Sequence, residues 1–288
     1  MVKKGSKIMS LEKKIDFKVV FGVKGANPNG DPLNGNRPRQ NNDGFGEVSD
    51  VAIKRKIRNR LQDMGHKIFV QSADRTNDGF KSLKDRADSV AELKKANKEK
   101  KPDEYAKIAC ENWIDVRSFG QVFAFKGGNS VSVGVRGPVS IQIARSITPV
   151  VINEMQITKS VNSMTGDKKA SDTMGMKYSI DYAVYEFNGS INVQLAEKTG
   201  FSDEDAEAIH KALETLFEND ESSARPAGSM EVLRVYWWQH DSKLGKHSSA
   251  QMHNSVKVIA KNNPIKDVED IDFEETPFDD VNEDIYEG

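Results

Sequence analysis

Apolar and polar positions first alternate at Ile15, Phe17, Val19, Phe21 and Val23, with Asp16, Lys18, Val20 and Gly22 between them. A period of two marks a strand with a buried face. Residues 24–47 lose the period and are dense in Asn, Gly, Pro and Asp, which predicts a long loop. Ser49 then stands as an N-cap for a helix to about Met64, with Ile53, Ile57, Leu61 and Met64 as its apolar stripe. Residues 66–71 read as a short strand. Residues 74–112 are polar, lysine-rich and weakly helical, an insertion outside the main sheet. Strand character returns over 116–125 and 131–143, and residues 149–177 break it again as a projecting segment. Residues 178–187 and 190–195 read as strands joined at Asn188-Gly189, since both residues tolerate the positive φ of a type I′ turn. Ser202 starts a second helix: Asp203, Glu204 and Asp205 suit its positive end, and Ala206, Ile209, Leu213 and Leu216 form its apolar face. Residues 231–239 and 255–260 are further strands.

The order strand, helix, strands, helix, strand predicts an α+β fold with a ferredoxin-like β-α-β-β-α-β core. This is the RRM topology, whose open sheet often meets single-stranded RNA. Such a core hosts many functions, so the fold alone assigns none.

Composition narrows the class. The 288 residues are 37% hydrophobic and 30% charged, as in a folded protein with a polar surface. No apolar run approaches the ~18 residues that span a bilayer, so no membrane role is expected. The first residues carry lysines without an apolar core, so residues 1–13 read as a disordered leader and not a secretory signal, with a second possible start at Met9. A single cysteine, Cys110, cannot form an internal disulfide, which points to a reducing, cytoplasmic setting.

Charge changes the picture more. Residues 264–288 hold eleven acids and one base, Lys266. Subtracting these from 44 acids and 42 bases leaves 33 and 41, so the body carries +8 although the whole chain carries -2. The acidic stretch reads as a solvated tail, or as one that screens a nucleic-acid surface or docks a neighbour.

Three places can carry chemistry. The loop Asn27-Pro28-Asn29-Gly30-Asp31-Pro32 combines fixed φ, close backbone approach and paired donors and acceptors; it reads as a string of turns or as a cradle for a sugar-phosphate backbone, with Arg37 and Arg39 adding cations. It lacks the Gly-Lys-Ser/Thr ending of a nucleotide-binding P-loop. On the first helix Lys54, Arg55, Lys56, Arg58 and Arg60 have no acid between Asp50 and Asp63, which suits phosphate neutralisation better than a solvated face. In Asp115-Val116-Arg117-Ser118-Phe119-Gly120, Arg117 can fork onto a phosphate, Phe119 can stack on a base or fill the core, and Gly120 leaves room for a backbone.

Read in order with Gly134-Val135-Arg136-Gly137-Pro138 and Met174-Gly175-Met176-Lys177, these motifs resemble the repeating backbone subunit of the type I-C CRISPR surveillance complex, Cascade, a member of the RAMP superfamily. The resemblance covers residues 14–260. It implies a single domain over 14–263 with an RRM-like palm, a helical fingers insertion at about 74–114 and a thumb at about 148–177. It implies that copies line up along one CRISPR RNA, kink it with their thumbs and expose it for pairing with target DNA in antiviral defence. Further partners would be the 5′-end processing, large and small subunits of the complex. Guide contact falls to Asn27, Asn29, Arg37, Lys54, Arg55, Arg58, Arg117, Phe119 and Arg136, and thumb contact to Thr158, Lys159 and Met174. Met176 and Tyr178 flank Lys177 where the family pattern suggests a basic or imidazole side chain.

No enzyme, metal or cofactor is expected. The histidines His66, His210, His240, His247 and His253 lack metal-site spacing, and the last three, clustered near the C-terminus, read as loop or surface residues; one cysteine cannot build a zinc knuckle, and Ser118 lies in no nucleophile elbow. The alternative is a Mg²⁺-dependent endoribonuclease of a related RNA-targeting complex, with Asp167 or Asp172 in the thumb as its carboxylate; Asp31 and Asp50 are further candidate Mg²⁺ ligands. A third reading is a monomeric RRM-like RNA chaperone.

Overall fold

The computed structural model describes residues 10–125, 132–158 and 174–288. Eight strands form the main sheet: β1 (Ile15–Ala26), β2 (Phe45–Val48), β3 (Val139–Ile141), β4 (Ala144–Pro149), β5 (Ile152–Thr158), β6 (Met174–Ile191), β7 (Met230–Gln239) and β8 (Asn282–Glu287). Their order is β8-β7-β1-β6-β4-β2, all pairs antiparallel, with β3 and β5 also paired to β6. The helices are α1 (Asp50–Asp63), α2 (Leu83–Asp88), α3 (Ala91–Lys98), α4 (Pro102–Asn112), α5 (Ile114–Phe119), α6 (Val193–Thr199), α7 (Asp203–Glu214) and α8 (Ser249–Asn254).

Both faces of β1 are buried. Phe17, Val19, Phe21 and Val23 pack with Ile53, Ile57 and Leu61 of α1 and Ile209 and Leu213 of α7. The helices begin where their caps place them: Ser49 Oγ accepts from the Ala52 amide, and Ser202 and Asp205 exchange bonds in a capping box. On the other face Val20 and Val184 pack on Ile265 and Ile271, and Tyr236 and Trp238 pack on Met252 and Val256. The expected open sheet is therefore closed by the chain's own C-terminal segment. Polar clips hold that cover down: Lys18 Nζ donates to the Val256 carbonyl at 2.8 Å, and His253 Nε2 lies 3.0 Å from the Gly189 carbonyl oxygen. A separate core joins α3, α4 and α5 to a short hairpin of Gly120–Phe123 and Val133–Arg136, around Phe69, Leu93, Tyr105, Trp113 and Phe123.

Four local readings change. No turn forms at Asn188-Gly189, because β6 runs straight through it. Gly189 lies opposite Phe17, and a Cβ there would overlap the Phe17 ring and sit 2.6 Å from the Ser140 carbonyl oxygen. The glycine thus serves close packing, not positive φ. Residues 190–195 end as a strand at Ile191, and Asn192 caps α6 by accepting from the Leu195 amide. Residues 66–71 form no strand, and 116–125 begin as the end of α5.

The acidic stretch is not a free tail. Ile271–Glu275 pairs with Val256–Ala260, and β8 forms a sheet edge. Its acids satisfy buried donors: Glu275 accepts from Tyr236 Oη at 2.6 Å and Glu283 from Trp238 Nε1 at 2.7 Å, while Ile265, Ile271 and Phe273 anchor it. The expected disordered leader is ordered at its end, since Leu11 is buried and its amide donates to the Phe201 carbonyl at 2.9 Å; residues 1–9 lie outside the described residues.

Gly189→Ala should lower stability by about 1–3 kcal/mol, as overpacking does in a filled core. A urea midpoint matching the parent chain would contradict this packing account.

Candidate nucleic-acid interface

The loop after β1 is braced from within. Asn27 is 3% exposed, and its Nδ2 donates to the Asn36 carbonyl at 2.7 Å. Asn29 Oδ1 accepts from the Ser49 amide at 3.0 Å, and the Arg39 amide donates to the Asn29 carbonyl at 3.0 Å. Gly30 packs so closely that a Cβ would overlap Asn36 Oδ1. Asp31 caps the following turn by accepting from the Leu33 amide, and Gly35 closes it in the left-handed region. The two asparagines that the sequence offered as ligands thus shape the loop. The surface it presents is Leu33, 98% exposed, with Asn34 and Gly35.

That loop meets a projecting ribbon. β5 and the first part of β6 pair from Thr158↔Met174 to Ile152↔Ile180. Directly opposed residues share a face. Met174, Met176 and Tyr178 therefore stand with Thr158, Gln156 and Glu154 on one side, and Met155 and Ile157 stand on the other. The ribbon is buried at its base, where Ile180 is 1% exposed, and exposed towards its tip, with Met174 at 61% and Met155 at 63%. Arg37 ties loop to ribbon: it forms an ion pair with Glu154, and its guanidinium lies 4.8 Å from the centre of the Tyr178 ring. Gln40 Nε2 adds a bond to the Val150 carbonyl at 2.8 Å. Lys159, Asp167 and Asp172 lie outside the described residues.

The α1 cations prove to be partnered. Lys54 Nζ lies 2.9 Å from Asp50 Oδ2, one turn earlier. Lys56 is buried on Asp220, and burial draws its pKa down while Asp220 opposes the shift. Arg58 Nε donates to Asp115 Oδ2 at 3.1 Å and its guanidinium covers Phe119 at 5.0 Å. Arg60 pairs with Glu218 at 2.6 Å, and Arg55 Nη1 donates to the Val70 carbonyl at 2.6 Å. The acids missing between Asp50 and Asp63 arrive from Asp115, Glu218 and Asp220, which only tertiary structure brings near.

Arg117 likewise forks onto Asp205, at 2.8 and 2.6 Å, with a third bond to the Cys110 carbonyl. The space that Gly120 leaves is taken by the chain itself, because a Cβ there would sit 2.7 Å from the Gly137 amide. Arg136, by contrast, is exposed and forms no ion pair among the described residues.

Asp115 is the hub of this lattice. It is buried and accepts from the amides of Phe69 and Val70, at 2.7 and 3.0 Å, as well as from Arg58. Residues 66–71 are thereby held in place without strand pairing, and the helical insertion is fastened to α1. The histidines near the C-terminus are not simple surface residues: His240 and His253 are buried, on Asp16 and on the Gly189 carbonyl, and His247 bonds Asp280 at 2.8 Å. Among the described residues no three His, Cys, Asp or Glu side chains converge as a metal site. Cys110 is buried, which pushes its thiol up to about 11. Asp115→Ala removes the acceptor of Arg58, of the buried Phe69 amide and of the half-buried Val70 amide, and should cost about 3–5 kcal/mol. A thermal midpoint within a degree of the parent would refute the hub.

The model of the family CRISPR-associated protein Cas7 matches residues 13–276. A CRISPR-associated protein Cas7 from Haloferax volcanii is 27% identical over 233 residues, covering 75% of this chain and 67% of the relative. Two solved chains align more distantly. One, from a CRISPR RNA-guided surveillance complex in a pre-nicking state, has TM-score 0.48 and 16% identity over 78% of each chain. The other, from a CRISPR RNA-guided surveillance complex, has TM-score 0.43 and 15% identity over 78% of this chain and 68% of that one. The family match spans the braced loop, the ribbon and the ion-pair lattice, and the chain belongs to the CRISPR-associated protein Cas7 family.

Proposed function

We propose that this chain is a CRISPR RNA-binding backbone subunit, several copies of which line up along one guide and hold it for pairing with target DNA. The observation that carries the reading is the junction of braced loop and exposed ribbon within the family match: Arg37, Tyr178 and Glu154 lock two surfaces into one edge. A loop stiffened by its own asparagines loses little conformational entropy on binding. Apolar side chains such as Met174 and Met176 can lie against nucleobases, while exposed cations answer phosphates. Arg136 would answer a phosphate directly, and Lys54 and Arg37 would do so in exchange for Asp50 and Glu154, with Thr158 and Met174 on the ribbon; Lys159, expected beside them, lies outside the described residues. Arg55, Arg58, Arg117, Phe119, Asn27 and Asn29 act one step back, by shaping the surface.

The finer reading is a type I-C Cascade subunit. The strand order β7-β1-β6-β3 with α1 and α7 on one face supports an RRM-like palm, the α2–α4 insertion the fingers, and the ribbon the thumb. Its partners would be the guide, further copies, and the processing, large and small subunits, in the cytoplasm. Binding without catalysis is part of the proposal, against the alternative of a Mg²⁺-dependent endoribonuclease.

Affinity for a guide should fall steeply with salt. Arg136→Ala should reduce the slope of log affinity against log salt by about 0.7, the share of one phosphate on a single strand. A filter-binding series with an unchanged slope would remove Arg136 from the interface. Guide-matched RNA should stay intact when the same samples are incubated with Mg²⁺, and cuts at regular spacing would instead establish the nuclease.

A further inference from the structure

Helix α3 carries a lysine-rich face that forms no ion pair among the described residues. Leu93 and Ala96 turn into the core of the insertion, and Lys94, Lys95 and Lys98 stand on the exposed side, followed by Lys100. Among the described residues none of these four lysines forms an ion pair or a side-chain hydrogen bond. Lysines nearby do: Lys84 pairs with Asp88 and Lys101 with Glu99, both at 2.6 Å. The four therefore form a patch without ion pairs that keeps a net positive charge beside Glu92 and Glu99.

A surface of opposite sign lies at the sheet edge. β8 pairs with β7 on one side, and among the described residues no strand pairs with its other side. Asp284 on this strand and Asp279 just before it are exposed and form no ion pair among the described residues. Among the described residues no hydrogen bond or ion pair links α3 to this segment within one copy.

We propose that the lysine face of α3 docks on the acidic β8 edge of a second copy of this chain. Two complementary patches that do not meet within a molecule make a heterologous contact between molecules, and such a contact repeats head to tail. Contact of α3 with α3, or of edge with edge, sets like charges together and is disfavoured, so the pairing also sets polarity. The open strand edge adds backbone donors and acceptors to the charges. The proposal rests on the reading that copies line up along a guide, and it names the surfaces that would join them.

Charge reversal tests it. One variant carries Lys94→Glu, Lys95→Glu and Lys98→Glu; a second carries Asp279→Lys and Asp284→Lys; a third carries all five. Sedimentation velocity at low salt would follow assembly on a long guide and, in a parallel arm, self-association of the protein alone at high concentration. Filter binding to a guide long enough for one copy would follow single-copy affinity. Each reversal alone should weaken assembly about tenfold, the five-fold variant should regain it, and single-copy affinity should hold in all three. Failure of the combined variant to recover would overturn the proposal. So would a loss of single-copy affinity in the α3 variant, which would assign those lysines to RNA. If even the parent chain binds no guide, the RNA reading fails, and the protein-alone arm still decides whether these two surfaces join.

Discussion

The antiparallel ladder between β1 and β6 is the constraint on which the rest of this molecule depends. β6 is 18 residues long, and β1 holds it from Ile191 back to Ile180; beyond that point only β5 accompanies it. One strand thus belongs both to the core and to the projecting ribbon, so the ribbon inherits its direction from the core. The same register places Ala26, the last residue of β1, opposite Ile180. Loop and ribbon therefore leave the sheet at the same point, and Arg37 needs only a short reach to Tyr178 and Glu154.

Charge is used in two distinct ways. Lys56, Arg58 and Arg117 are largely buried and held by Asp220, Asp115 and Asp205, where removing one partner costs about 3–5 kcal/mol. Exposed pairs such as Lys84 with Asp88 are screened by water and salt and contribute little. The first group fastens the helical insertion to α1 and α7 and is withheld from other molecules, whereas Arg136 and the α3 lysines are exposed and form no ion pair among the described residues. A basic helix in the sequence is in this way mostly a structural element, and the surface that meets phosphate is narrower than the charge count implied.

Much of the architecture was legible where local signals and tertiary demands agree. The period of two over β1, the Ser49 and Ser202 caps and the apolar stripes of α1 and α7 each report a buried face directly. The sequence failed where a residue type has two uses. Asn188-Gly189 has turn chemistry, but the glycine is there to admit Phe17. The C-terminal acids hid the apolar residues Ile265, Ile271 and Phe273, so a folded cover over the sheet read as a tail. Of the candidate site, the loop and a projecting segment were legible, but the strand pairing within that segment and the direction of each side chain were not. Asn27 and Arg117 face inward because their partners, Asn36 and Asp205, are recognisable only once the chain is folded.

The claim that loop and ribbon form one RNA-binding edge is tested most directly by ultraviolet cross-linking of the chain to a guide, followed by mass spectrometry of the peptide adducts. The account predicts adducts at Tyr178 and its neighbours Met174 and Met176, and on the loop that carries Leu33 and Arg37. Adducts confined to the cover over residues 249–275, with none on the ribbon, would contradict it.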